Sequence, residues 1–136
     1  MTFLVERLAE LDTYLAHLRE LESRVSGPRD LERDLSLRND VLFSLLTVCQ
    51  LVIDLAGELS TRKGLGFEDY TEAVRNLRQY ETLDDETVDA LARLQGFRNV
   101  VIHEYVSLDL ERVVEALGEL APVADFARFV AGVEDA

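Results

Sequence analysis

The chain has 136 residues and a formal net charge of −13, from 14 basic and 27 acidic side chains. A chain of this length typically forms one domain, so we expect residues 1–136 to fold as a single domain. The acidity argues against binding nucleic acid through a broad basic surface. We expect no membrane span, because the most apolar stretch, residues 41–56, contains Gln50 and Asp54 and is shorter than the ~20 residues that a bilayer requires.

The first predicted helix carries a leucine stripe. Leu4, Leu8, Leu11, Leu15 and Leu18 follow each other at intervals of four and three residues, which places them on one helical face. This face either packs into the core of the chain or serves a partner helix.

A second helix is expected over residues 30–59, after the break at Gly27 and Pro28. Its first half is charged and its second half is almost wholly apolar, which is typical of a helix that becomes buried along its length. Residues 61–69 contain two glycines and clustered charges, so we predict a loop there. A short helix follows over residues 70–80.

Asp84 and Asp85 are good capping or first-turn residues for a fourth long helix. Residues 107–109 carry another capping signal, and Pro122 should kink or restart the last helix. Residues 133–136 are expected to fray. Short loops between long amphipathic helices predict an all-α, antiparallel up-and-down bundle of four to six helices.

Cys49 is the single cysteine of the chain, which excludes an internal disulfide. It lies within an apolar run and is interpreted as a small buried hydrophobic residue. The absence of disulfides fits a reducing cytoplasm. No Cys/His spacing indicates a metal site, and we expect no cofactor.

The candidate site is the segment RNVVIHEY, residues 98–105. In a helix, Asn99 and His103 are four residues apart and share a face, while Arg98 and Tyr105 are seven apart and are nearly aligned. A guanidinium, an amide, an imidazole and a phenol would thus project from one packed scaffold.

The longer segment LQGFRNVVIHEY resembles the signature of the HEPN superfamily, and within it the HepT-like toxins. Those proteins share an Arg-x(4)-His-x-Tyr motif, which Arg98, His103 and Tyr105 match. Asn99 matches the polar residue that usually follows the arginine. The helix lengths and apolar positions of residues 3–130, including Asp54 on the long helix, are also similar to this family.

The resemblance implies a helical bundle, often homodimeric, that acts as a metal-independent endoribonuclease with Arg98 and His103 in the active site. It also implies a toxin–antitoxin system, of type VII kind, in which the toxin is encoded beside a minimal nucleotidyltransferase. That partner would act as the antitoxin by attaching AMP to Tyr105.

The chemistry of RNA cleavage fits these residue types independently. RNA carries its own nucleophile, the 2′-OH beside the scissile phosphate. Histidine can act as general base or acid near neutral pH, which is typically worth ~10² to 10⁴ in rate, and arginine binds phosphate oxygens while staying charged. Since one chain supplies one motif histidine, His103, we predict a symmetric dimer with two copies of the motif in one cleft.

Other interpretations remain open. Asn99 either orients His103 or caps a turn, Glu104 is expected at the surface, and His17 is expected to be structural or exposed. A further group of cations either holds the RNA backbone or an acidic partner, or forms a solvated face: Arg62, Lys63, Arg75, Arg78 and Arg93. The alternative to a nuclease is a non-catalytic helical subunit that binds a nucleotidyltransferase, which the acidity of the chain favours.

Overall fold

Helices account for most of the chain. The computed structural model describes the backbone of residues 2–135 and the side chains of residues 3–133. Within these residues no strand occurs, and the α-helices are α1 Thr2–Glu22, α2 Pro28–Arg33, α3 Leu35–Arg62, α4 Tyr70–Arg75, α5 Asp85–His103, α6 Leu110–Leu117 and α7 Leu120–Asp135. The all-α prediction is confirmed, although these seven helices exceed the four to six expected.

Helix α3 is the centre of the bundle and contacts α1, α2, α4, α5 and α6. Leu45, Val48 and Leu55 on this helix are fully buried, and each such side chain contributes about 1.5–3 kcal/mol of burial free energy. By length and composition α3 could cross a membrane, but 61% of its most apolar window is buried inside the fold. Its hydrophobicity is therefore accounted for by the core.

Helix α1 packs antiparallel on α3. His17 of α1 contacts Asp40 of α3, and Arg7 contacts Asp54, so the two helices run in opposite directions. Leu4, Leu11, Leu15 and Leu18 are buried in the core and Leu8 is partly buried. The leucine stripe thus packs within the chain, which decides between the two interpretations given above.

The prediction of a single helix over residues 30–59 is wrong, because the helix is interrupted at Asp34. This residue has extended backbone angles (φ −126°, ψ 98°), and its side chain accepts a hydrogen bond from the Leu37 amide. Asp34 therefore caps α3 and separates it from α2, which begins at Pro28, two residues before the expected start. The charged pattern before Asp34 is compatible with either arrangement, so periodicity alone did not reveal the break.

Helix α3 ends at a left-handed glycine, Gly64, with φ 71°. The Leu65 amide donates to the Ser60 carbonyl at 3.0 Å and the Gly64 amide donates to the Thr61 carbonyl at 2.9 Å. These two bonds satisfy carbonyls at the end of the helix. Helix α3 therefore extends to Arg62, two residues into the expected loop.

The segment after this loop is only partly α-helical. Helix α4 ends at Arg75 and a 3-10 turn, Asn76–Gln79, completes the short helix expected over residues 70–80. The Tyr80 hydroxyl then donates to the Leu59 carbonyl at 2.7 Å, which anchors the end of this segment to α3.

The last two helices follow the predicted signals. Asp109 caps α6 by accepting from the Glu111 amide, and Pro122 lies in the first turn of α7, where a missing amide hydrogen costs little. The proline therefore accompanies a restart of the helix. The fraying expected over residues 133–136 is not seen up to Asp135, and Ala136 lies outside the described residues.

Candidate functional site

Helix α5 carries the motif and is fixed at both ends. Asp84 caps its first turn by accepting from the Thr87 amide at 2.8 Å, as predicted. Hydrogen bonding to Thr87 lowers the pKa of Asp84, since it stabilises the carboxylate. At the other end, the Glu104 amide donates to the Val100 carbonyl at 2.8 Å, and the α-helix stops at His103.

Arg98 is half-buried and lies against two uncharged groups. Its Nη2 lies 3.5 Å from Oε1 of Gln50 on α3, and its guanidinium carbon lies 5.3 Å from the ring centroid of Tyr70 on α4. In the part of the chain that the structure describes, no carboxylate lies within ion-pair distance of Arg98. The guanidinium is thus oriented without being neutralised, which leaves its charge available to an anion.

Gln50 also links Arg98 to a second cation. Its Nε2 donates to Oδ1 of Asp54 at 2.9 Å, and Oδ2 of Asp54 accepts from Nε of Arg7 at 3.4 Å. Because Arg7 compensates the Asp54 carboxylate, that charge is not free to neutralise Arg98. From the sequence, Gln50 and Asp54 were noted as polar interruptions of an apolar run, and neither Gln50 nor Arg7 was placed near Arg98, although a polar pair four residues apart in such a run is a visible signal.

Asn99 and His103 are exposed on α5, and their spacing places them on the same side of this helix, as predicted. Arg98 and His103 are five residues apart, which corresponds to about 140° around an α-helix. One copy of α5 therefore points the imidazole and the guanidinium in different directions.

Tyr105 lies beyond the end of α5, in a 3-10 turn over Tyr105–Ser107. The predicted helical alignment of Arg98 with Tyr105 is therefore wrong, because the helix that would align them ends at His103. Tyr105 is 66% exposed and its neighbour Val106 is 96% exposed. The phenol is accordingly accessible to a modifying enzyme.

The other candidate cations differ in their surroundings. Arg62 pairs with Glu58 at 3.2 Å, and Arg78 pairs with Asp89, which is the solvated and locally paired arrangement. Lys63 lies 4.7 Å from the ring centroid of Tyr80. Arg75 and Arg93 are exposed and have no ion-pair partner among residues 3–133.

Two further titratable side chains, His17 and Cys49, contribute to the packing of the bundle. Nε2 of His17 lies 2.9 Å and 3.0 Å from the two carboxylate oxygens of Asp40, which gives His17 a structural role. Cys49 is fully buried, as predicted, and burial raises the pKa of its thiol to about 12 even though the nearby Arg98 charge opposes this shift. The described residues contain no group of three or more His, Cys, Asp or Glu side chains suited to a metal ion.

Comparison with known proteins gives a consistent result. A family model described as "Ribonuclease HepT-like" matches residues 11–131. A protein of Shewanella oneidensis named "mRNA nuclease HepT" is 26% identical over 114 residues, which cover 83% of this chain and 84% of that protein. The resemblance stated from residues 94–105 is therefore confirmed at the level of the family.

Two solved structures share the fold. One is the tri-AMPylated Shewanella oneidensis HEPN toxin in complex with MNT antitoxin, with a TM-score of 0.81, 20% identity, and coverage of 100% of this chain and 99% of that chain. The other is a toxin–antitoxin structure with AMP-PNP, with a TM-score of 0.82, 19% identity, and coverage of 96% and 98%. At these identities the likeness establishes the helical architecture alone.

Proposed function

Because this chain belongs to the HepT-like ribonuclease family, we propose that it is the toxin of a cytoplasmic toxin–antitoxin pair and that it cleaves RNA without a metal ion. The observation that carries the proposal is the state of Arg98. It is oriented by Gln50 and Tyr70, neither of which neutralises it, on the same helix as an exposed His103.

The reaction is a transesterification. The 2′ oxygen of the RNA forms a bond to the adjacent phosphorus while the bond from phosphorus to the 5′ oxygen breaks. One His103 imidazole takes the 2′ proton and a second, protonated imidazole gives a proton to the departing 5′ oxygen. Arg98 stabilises the charge that builds on the phosphate oxygens, and Asn99 supports His103.

This reaction requires two copies of the chain, because the two catalytic side chains diverge on one helix. Exposed apolar side chains flank the Arg98–Gln50 contact: Phe43 lies seven residues before Gln50 on the same face of α3, and Ile102 lies one turn after Arg98 on α5. We therefore assign this surface to a homodimer interface. Light scattering tests it, since Phe43→Glu should give a monomer without activity, and a fully active monomer would contradict it.

Neutralisation is assigned to a minimal nucleotidyltransferase that modifies Tyr105. The phenolic oxygen attacks the α-phosphorus of ATP, an O–P bond forms, pyrophosphate leaves, and the phenolic proton passes to solvent. The attached AMP adds bulk and negative charge, which repel an anionic RNA. The tri-AMPylated state named for the Shewanella oneidensis toxin supports this route, and Tyr105→Phe should remove at least one AMP mass unit from protein co-expressed with the nucleotidyltransferase.

The decisive experiment is incubation of the purified protein with total RNA in EDTA. We expect cleavage by the wild type and by Arg128→Ala, a control that removes an exposed arginine on α7, and at least about a hundredfold less cleavage by His103→Ala or Arg98→Ala. Equal cleavage by all four proteins would refute the site.

The acidity of the chain favours one competing function, a non-catalytic subunit that binds the nucleotidyltransferase and presents Tyr105. A net charge of −13 disfavours RNA binding at long range. This alternative requires a stable complex with the nucleotidyltransferase and no cleavage at any protein concentration. The RNA assay therefore separates it from the nuclease.

A further inference from the structure

A groove of about 470 Å³ lies beside Tyr105, where the beginning of α3 faces the segment that leads into α6. We call it the Tyr105 groove. Leu35 and Leu42 of α3 and Leu108 before α6 supply its apolar wall, and Arg38 and Asn39 of α3 supply its polar groups. Its volume lies in the range of roughly 300–1,000 Å³ that is usual for small-molecule sites.

The polar groups of the groove are free to bind a ligand. Arg38 donates only a long hydrogen bond, 3.4 Å, to the Leu31 carbonyl, and no carboxylate among residues 3–133 lies within ion-pair distance of it. Asn39 is exposed, and its amide offers both donors and an acceptor. A mixture of apolar wall, amide and guanidinium matches the base and phosphate of a nucleotide.

The positive charge at this groove comes from the Arg38 side chain and not from the N-terminus of a helix. The first turns of α3 and α6 both begin near the groove, but Asp34 and Asp109 already accept hydrogen bonds from their amides. Arg38 is the charged side chain among the residues that line the groove, so we expect an anionic ligand to interact with its guanidinium.

We propose that the Tyr105 groove binds the adenylyl group attached to Tyr105, an inference that rests on the proposed AMPylation. The adenine packs on the leucine wall and hydrogen-bonds to Asn39, while the phosphate joined to the phenolic oxygen interacts with Arg38. Docking of the AMP in this groove shields the new phosphodiester from hydrolysis, so that the modified state persists.

The groove is tested first on unmodified protein, with free AMP as the probe. Saturation-transfer NMR at about 5 mM AMP should show transfer to the adenine protons. Arg38→Ala should weaken AMP binding by about tenfold and Asn39→Ala by about fivefold, whereas Arg128→Ala should leave it unchanged. Lack of binding, or equal binding by all variants, would overturn the proposal, and circular dichroism checks that each variant is folded.

The second measurement uses protein modified on Tyr105 by its nucleotidyltransferase. A phosphodiesterase should release AMP at least about fivefold faster from Arg38→Ala than from the wild type, and equal rates would contradict docking in the groove. If mass spectrometry finds no AMP on Tyr105, the proposed regulation fails, but the saturation-transfer measurement with free AMP still decides whether the groove binds a nucleotide. The binding measurement is repeated with CMP in place of AMP. If CMP binds as tightly as AMP, the groove accepts any base of the RNA, and the adenylyl assignment is refuted.

Discussion

The substitution Gln50→Glu tests whether RNA cleavage requires that no carboxylate neutralises Arg98. Glutamate has nearly the same shape as glutamine and places a carboxylate oxygen where Oε1 now lies, 3.5 Å from Nη2 of Arg98. At this distance, the Coulomb energy of a unit charge pair is ~1.2 kcal/mol in a water-like dielectric and ~4.7 kcal/mol at an effective dielectric constant of about 20.

The lower value is the better guide, because Arg98 is only half-buried and solvated ion pairs contribute about 0.2–1 kcal/mol. Repulsion from Asp54, whose Oδ1 lies 2.9 Å from the Gln50 side-chain nitrogen, opposes the new charge further. We therefore expect Gln50→Glu to reduce RNA cleavage by about two- to fivefold, well short of the loss expected for Arg98→Ala.

Single-turnover cleavage in EDTA measures this effect. Gln50→Leu removes the amide without adding charge and should stay within about twofold of the wild type, since the hydrogen bond lost to Arg98 is long and Asp54 keeps its contact with Arg7. Gln79→Glu makes the same chemical change at an exposed position in the 3-10 turn and serves as the matched control. Because salt screens exposed charges, the deficit of Gln50→Glu should narrow as the salt rises from about 0.05 M to 0.5 M.

Two results would refute this reasoning. A Gln50→Glu protein as active as the wild type would mean that neutralising Arg98 is harmless. A Gln50→Leu protein as impaired as Gln50→Glu would mean that Gln50 acts through packing or orientation and that charge is not involved.

Three further predictions concern the fold. Cys49, buried and with its pKa raised to about 12, should react with a thiol reagent only after unfolding, and rapid labelling of native protein would contradict this. Hydrogen bonding to Thr87 holds the pKa of Asp84 below its ordinary value of 3.8 in the folded protein. The stabilisation by the Asp84 carboxylate is therefore present above that value and is lost as the pH falls through the folded pKa. Asp84→Asn should make the melting temperature fall less steeply with decreasing pH, and an unchanged pH dependence would exclude this contribution. Phe126→Ala should cost about 3–5 kcal/mol in urea unfolding because the ring is fully buried, whereas Val5→Ala at an exposed position should stay within about 0.5 kcal/mol.

Local chemistry in the sequence determined most of the helices. Leucine spacing predicted α1 and its apolar face, Asp84 predicted the start of α5, and Pro122 predicted a kink or a restart of the last helix. These signals act within one or two turns of chain, where hydrogen bonding and side-chain periodicity dominate. The break at Asp34 escaped because a charged, polar segment satisfies either one helix or two.

Only the tertiary structure decided what surrounds the motif. Gln50 lies 48 residues from Arg98 in the chain, and Tyr70 lies on a different helix, so no local pattern links them. The alignment expected for Tyr105 was lost because α5 ends at His103, with no glycine or proline to signal the end. The sequence thus determines which chemical groups are present and which helices carry them, whereas the packing of α3, α4 and α5 decides which charges are compensated and which stay free, because contacts between distant segments form only when the core does.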